Sequence, residues 1–148
     1  MSKQLKLRIV TPESLVLDEL VDQVSIPTIL GEITILSDHI PLITEVASGD
    51  IVAVEKGEDI PFAVVGGFLE VKKNEEGITE VAILADFAEH VSNLSEEKIK
   101  EAKEKAEEMR QQMINNQSVD FEHFKAELER SLTRVKIADK WRVRKYRK

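Results

Sequence analysis

The sequence predicts an all-β N-terminal sandwich of about ten short strands followed by a C-terminal antiparallel α-helical hairpin. Three observations carry that prediction. Apolar residues alternate with polar ones through roughly the first 90 residues. The apolar spacing then changes to threes and fours, and the sign of the charge reverses at the same place.

The alternation begins at once. Leu5, Leu7 and Ile9 share one face of an extended segment while Lys6 and Arg8 take the other. Val24 with Ile26, Ile33 with Ile35, Ile51 with Ala53, Phe62 with Val64 and Val81 with Ile83 repeat it. Turn signals fall between these runs at Thr11-Pro12, Pro27, Gly31, Pro41, Ser48-Gly49, Lys56-Gly57, Gly66-Gly67 and Glu76-Gly77. Many short strands with frequent punctuation argue for a sandwich or barrel.

After Asn93 the period is helical. Ile99, Ala102, Ala106, Met109 and Met113 draw one apolar stripe. Asn93 or Ser95 supplies an N-cap, and Glu96 and Glu97 suit the positive end of the helix dipole. Asn115-Asn116-Gln117-Ser118 interrupts the pattern, and a second stripe runs through Phe121, Phe124, Leu128, Leu132 and Val135. So short a connection folds two helices back on each other. The first stripe is lean in side-chain volume, so the hairpin is expected to dock weakly and to be movable.

Charge divides the chain at the same boundary. Residues 1–93 hold 6 Lys+Arg against 17 Asp+Glu, a net of −11, whereas residues 94–148 hold 15 against 11, a net of +4. The expected units are residues 1–90 and 91–148. The 148 residues include no cysteine, which excludes a disulfide framework and thiolate metal sites. The start MSKQLKLRIV reads as neither a signal nor a transit peptide, and no apolar run approaches the ~20 residues of a spanning helix.

Candidate chemistry is sparse. His39, His90 and His123 share no metal-ligand spacing, so no metal site is expected. Asp38-His39 has the composition of an acid–base pair, but neighbours in an extended segment point to opposite faces. A polar turn before Pro41 is the plainer reading. Gly66-Gly67 lies between two strand-like runs, which suits a sharp reversal or a close backbone approach rather than a phosphate loop. The ending KWRVRKYRK has six basic residues in nine, interleaved with Trp141 and Tyr146. Such an arm fits an acidic protein surface better than nucleic acid in a chain that is acidic as a whole.

In order, LRIVTPE (7–13), GEITILSDHIPLIT (31–44), VVGGFLEV (64–71), VAILADFAEH (81–90) and LTRVKIA (132–138) resemble the motifs of the epsilon subunit of bacterial and chloroplast ATP synthases. The resemblance covers nearly the whole chain. It implies a non-catalytic rotor subunit, peripheral to the cytoplasmic face of the cell membrane, whose sandwich binds the gamma subunit and rests on the c-ring. Glu32 and His39 match interface positions there, and Asp38 replaces the usual Gly or Asn of the turn. The resemblance also implies a mobile hairpin that inhibits ATP hydrolysis when extended, with Arg130 and Arg134 meeting the catalytic beta subunits.

Some relatives bind ATP in the folded hairpin through an I/L-D-x-x-R-A motif. Glu89, Arg130 and Arg134 are retained here, but in Leu94-Ser95-Glu96-Glu97-Lys98-Ile99 a serine stands for the acid, a lysine for the arginine and an isoleucine for the alanine. Without the carboxylate and the planar guanidinium, no cofactor is expected. Two other readings compete. One is a sandwich ligand-binding module with a helical oligomerisation arm, for whose aromatic platform the strands offer only Phe62, Phe68 and Phe87; the other is a nucleic-acid binder using the basic tail.

Overall fold

The computed structural model describes residues 3–114 and 121–148, the side chain of Phe121 excepted. Eight strands come first: β1 (Leu5–Val10), β2 (Leu15–Val21), β3 (Gln23–Thr28), β4 (Gly31–Leu36), β5 (Leu42–Glu45), β6 (Gly49–Glu55), β7 (Glu58–Lys73) and β8 (Thr79–His90). A single 3-10 turn, Val91–Asn93, leads to α1 (Glu96–Ile114) and α2 (Phe121–Trp141).

The strands form one hydrogen-bonded path, β2-β1-β8-β7-β6-β3-β4, with β5 added to β7. The path closes into two layers because β7 and β8 are long enough to serve both. The first half of β7 pairs with β6 and its second half with β5. β8 follows β7 throughout, and its first half also pairs in parallel with β1. The change of layer falls at Gly66-Gly67, where the β7–β8 register passes from Val65–Phe87 to Gly67–Ala85.

These two glycines account for part of the difference between the eight strands present and the about ten expected, since a break read there divides β7 in two. Both have positive φ, 62° at Gly66 and 116° at Gly67, a conformation side chains disfavour. A Cβ on Gly67 would lie 2.1 Å from the Leu84 carbonyl oxygen. The pair is therefore a close backbone approach inside one bent strand of 16 residues.

Between the layers lies one continuous core. Leu5, Leu7 and Ile9 of β1 meet Leu69, Val71, Val81 and Ile83 of the long strands, and Val24, Ile26, Ile35, Ile51 and Phe62 close it from the other layer. The alternation seen in the sequence is thus the inward half of each strand. β2 and β5 escape sequence reading because they are edge-like: Leu15 and Leu20 are exposed and β5 has only four residues.

The helices obey their caps. Ser95 fills the N-cap role, its hydroxyl accepting from the Lys98 N–H at 3.2 Å while its carbonyl accepts from Ile99. α1 buries Ile99, Ala102, Ala106 and Met109 as expected, but Met113, near the helix end, is 47% exposed. The helices run antiparallel: Lys105 pairs with Glu127, while Ile99 and Lys103 share a cleft with Ala138 and Trp141.

α2 departs from its expected stripe. Leu132 is 45% exposed, while Ser131, Thr133, Ile137 and Trp141 are buried. A single stripe is the wrong template because α2 is gripped from two sides. Phe124 and Ser131, seven residues apart, share the side of Glu127 that faces α1, whereas Thr133, Ile137 and Trp141 repeat every four residues toward the sandwich. The break at Asn115–Ser118 and the Phe121 side chain lie outside the described residues.

Candidate functional site

Asp38 and His39 sit in the turn that follows β4, and they do not act on one another. Asp38 has φ 69°, a left-handed conformation that Asp tolerates. Its backbone N–H donates to the buried Thr79 hydroxyl at 2.7 Å. Its carboxylate takes Lys73 at 3.1 Å and Lys3 at 3.3 Å, and those ammonium groups hold it below the usual carboxylate range. The His39 ring is turned to its neighbour instead, with Nδ1 2.7 Å from the Ile40 carbonyl. This dipeptide fixes a turn and displays an imidazole.

Glu32 lies at the opposite end of β4, exposed, across from Pro27 of β3. At ~3.3 Å per residue, a strand separates it from His39 by on the order of 20 Å. The two residues therefore mark two ends of an extended surface rather than one point of contact.

A third surface was not singled out from the sequence. Phe68 and Leu84 face each other across β7 and β8, with Ile43 of β5 diagonal to them. All three point outward, 59%, 60% and 71% exposed, and with Glu70 and Ala82 they line a shallow hollow of about 210 Å³. Adjoining apolar side chains left in water mark an interaction face. The signal was present, since with Leu69 and Val71 inward, Phe68 must point out. The aromatic ligand platform does not form: Phe62 is buried in the core, and Phe87 lies beneath Arg130 and Arg134, 5.6 and 4.7 Å from its ring centroid.

The seam between hairpin and sandwich gathers the remaining candidates. Glu89, at the end of β8, takes Arg134 at 3.3 Å and Lys98 at 3.2 Å. Arg130 donates to the Asp86 carbonyl at 3.4 Å, and Ser48 donates to Glu129 at 2.6 Å. Deeper in the seam, one oxygen of the nearly buried Asp50 accepts from the Trp141 indole N–H and from Lys140, both at 2.8 Å. Ala63, Val91, Ile137 and Trp141 form the small apolar cluster beneath these contacts. Sequence reading named Glu89, Arg130 and Arg134 but missed Asp50, whose role depends on a helix 91 residues away.

The basic ending touches the sandwich through Arg147, while Arg142, Arg144, Lys145 and Lys148 stay exposed. Arg147 donates to Glu19 at 2.6 Å and to Glu55 at 2.8 Å, so the acidic protein it meets is its own sandwich. Among the described residues no cluster of three or more His, Asp or Glu gathers as a metal site, and no helix is long and apolar enough to cross a membrane.

Known proteins match both the sequence and the fold of this chain. Residues 4–91 match the family described as the ATP synthase delta/epsilon chain beta-sandwich domain. The chain is 36% identical to the ATP synthase epsilon chain of Desulforamulus reducens over 141 residues, covering 94% of this chain and all of that one. It is 38% identical to that of Herpetosiphon aurantiacus over 135 residues, covering 90% and 93%. The fold also resembles a chain in the Euglena gracilis mitochondrial ATP synthase, with a TM-score of 0.60 at 24% identity, over 92% of this chain and 78% of that one. With sandwich and helices matched together by bacterial relatives, the chain belongs to the ATP synthase epsilon chain family.

Proposed function

We propose that this chain is a non-catalytic rotor subunit of a bacterial-type ATP synthase, working in the central stalk on the cytoplasmic face of the membrane. Its sandwich grips the gamma subunit and rests on the c-ring, carrying ion-driven rotation to catalytic sites on other subunits. The observation that carries the reading is similarity to bacterial epsilon chains through both the sandwich and the helices. Physical support comes from the core: a continuous, close-packed interior transmits force without yielding. The outward strip of Ile43, Phe68 and Leu84 suits the gamma contact, and the turn displaying His39 and the exposed Glu32 suit the c-ring and gamma loops.

The hairpin is the regulatory part. Docked on the sandwich it leaves hydrolysis free; extended along gamma it blocks hydrolysis, with Arg130 and Arg134 meeting an acidic surface of the beta subunits. In the docked form both arginines rest on Phe87, and Arg134 also pairs with Glu89, so release must precede that encounter. Nucleotide has no part in this reading. Ser95 serves as a helix cap, and Glu89 pairs with Lys98 and Arg134 in the docked form.

Co-purification with gamma tests the first half: a chain that fails to bind gamma is not the rotor foot. Deleting residues 94–148 tests the second, with hydrolysis by the assembled complex expected to rise. A truncated complex that hydrolyses ATP at the parental rate removes the inhibitory role.

A further inference from the structure

Beyond Trp141 the helix stops, and the chain turns back onto the sandwich instead of entering solvent. Three donors of Arg147 meet acceptors on three strands. One guanidinium nitrogen reaches Glu19 of β2 at 2.6 Å, the other reaches Glu55 of β6 at 2.8 Å, and the backbone N–H reaches the Asp59 carbonyl of β7 at 2.7 Å. Neither Glu19 nor Glu55 has another ion-pair partner among the described residues. Two carboxylates converging on one point repel unless a cation stands between them, and the forked guanidinium fits that place better than an ammonium.

Tyr146 completes the contact. Its ring stands edge-on to Trp141 at 6.0 Å and tilted against His90 at 6.1 Å, and His90 in turn meets core Phe62 at 5.1 Å. The tail is thus linked through stacked rings both to the residue that seats α2 and to the sandwich interior.

We propose that residues 144–148 form a strap whose Arg147 binds an acidic notch built by Glu19, Glu55 and the Asp59 carbonyl while Tyr146 packs on His90 and Trp141, and that this strap holds the hairpin closed. The occupant of the notch is this chain's own tail, because charge, donor geometry and ring contacts all fit that segment. The strap acts at the far end of α2, beyond the contacts of Arg130 and Arg134, so losing it frees the helix from its C-terminal end. Its effect on enzyme inhibition rests on the function proposed above; the strap itself does not.

The full-length chain offers a direct readout, because Trp141 is its one tryptophan and its indole N–H is bonded to Asp50. Exchange of that proton under native conditions reports the released fraction even when it is small. Arg147→Ala, and separately Glu19→Gln with Glu55→Gln, should each accelerate exchange by roughly tenfold, the combined effect of two charge-assisted contacts and the ring packing they fix. Arg147→Glu combined with Glu19→Lys and Glu55→Lys, which reverses every charge of the contact, should restore slow exchange. Raising salt should accelerate the parental chain more than Arg147→Ala, which keeps the Lys140–Asp50 and Arg134–Glu89 pairs of the seam. Unchanged exchange in Arg147→Ala overturns the strap, as does an acceleration that charge exchange does not repair. If exchange accelerates as expected while hydrolysis by the assembled complex stays at the parental rate, the strap stands and the inhibitory role of the hairpin falls.

Discussion

The sandwich and the hairpin are held by different physics. Eighteen side chains form the sandwich core, nearly all of them wholly out of water. The hairpin meets that block through an apolar cluster of four buried residues, only two of them on its helices, and through polar contacts such as those of Asp50 and Glu89. Burying one large aliphatic or aromatic side chain stabilises by about 1.5–3 kcal/mol, whereas an exposed ion pair contributes about 0.2–1 kcal/mol. One unit is therefore a solid, and the other is fastened by contacts that can be undone singly. The chain concentrates specificity where it concentrates charge, and rigidity where it excludes charge.

The largest effect should come from striking the solid itself. Gly67→Ala places a methyl 2.1 Å from the Leu84 carbonyl at a φ of 116°, which neither backbone can relieve without opening the β7–β8 bend. A loss of more than about 4 kcal/mol in denaturant unfolding is expected. A variant that unfolds at the parental midpoint would mean the bend is not what joins the two layers. Second in size, Phe68→Asp puts a charge in the middle of the outward apolar strip without touching the core. Gamma affinity should fall by about 30-fold or more, the scale of losing a central interface anchor, while the unfolding midpoint stays put. Equal gamma binding by the variant would move the contact to another face.

Much of this contrast was legible in the residues. Alternation located the inward faces of β1, β3, β6, β7 and β8 because burial on one side imposes period two. The strand count was too high in part because a glycine pair reads as punctuation, and only the register with β8 reveals that the strand passes through it. α2 was misread at Leu132 for a different reason. A helix held between two partners has two buried faces, and each includes a small polar residue, Ser131 on one and Thr133 on the other. Asp50, Glu19 and Glu55 left no local signal, since each acts on a residue about 90 or more positions away. The charge asymmetry between the halves was their one shadow in the sequence.

Third in size is a cut at the seam. Asp50→Ala removes the acceptor shared by Trp141 and Lys140 and leaves a buried indole N–H unpaired. Docking should weaken by about 1–3 kcal/mol. Hydrogen exchange through the second half of α2 should accelerate while the β7 and β8 amides remain protected. Exchange that rises equally in both units would mean the hairpin and the sandwich open together, and the contrast between them would not hold.

The smallest effect is one of pH, and its sign follows from His90. Burial pushes this imidazole below its ordinary value of 6.5, and Arg147 beside it adds to that; a hydrogen bond with the Arg147 backbone and the charge of Glu19 pull the other way. The docked form therefore favours the neutral ring, which accepts the Ser92 N–H at Nδ1 and packs on Phe62 and Tyr146. When the tail leaves, the ring gains water and binds a proton more readily, so the released form takes up more protons. Docking strength is accordingly full above about pH 6.5 and declines as pH falls through the lowered value. Exchange at the Trp141 indole, corrected for its intrinsic pH dependence, should quicken on acidification in the parental chain and stay flat in His90→Gln. Arg147 itself stays charged across this range, and Glu19 beside it raises that guanidinium further still. A parental profile as flat as that of His90→Gln would assign the ring to packing alone and leave the seam indifferent to protons in this range.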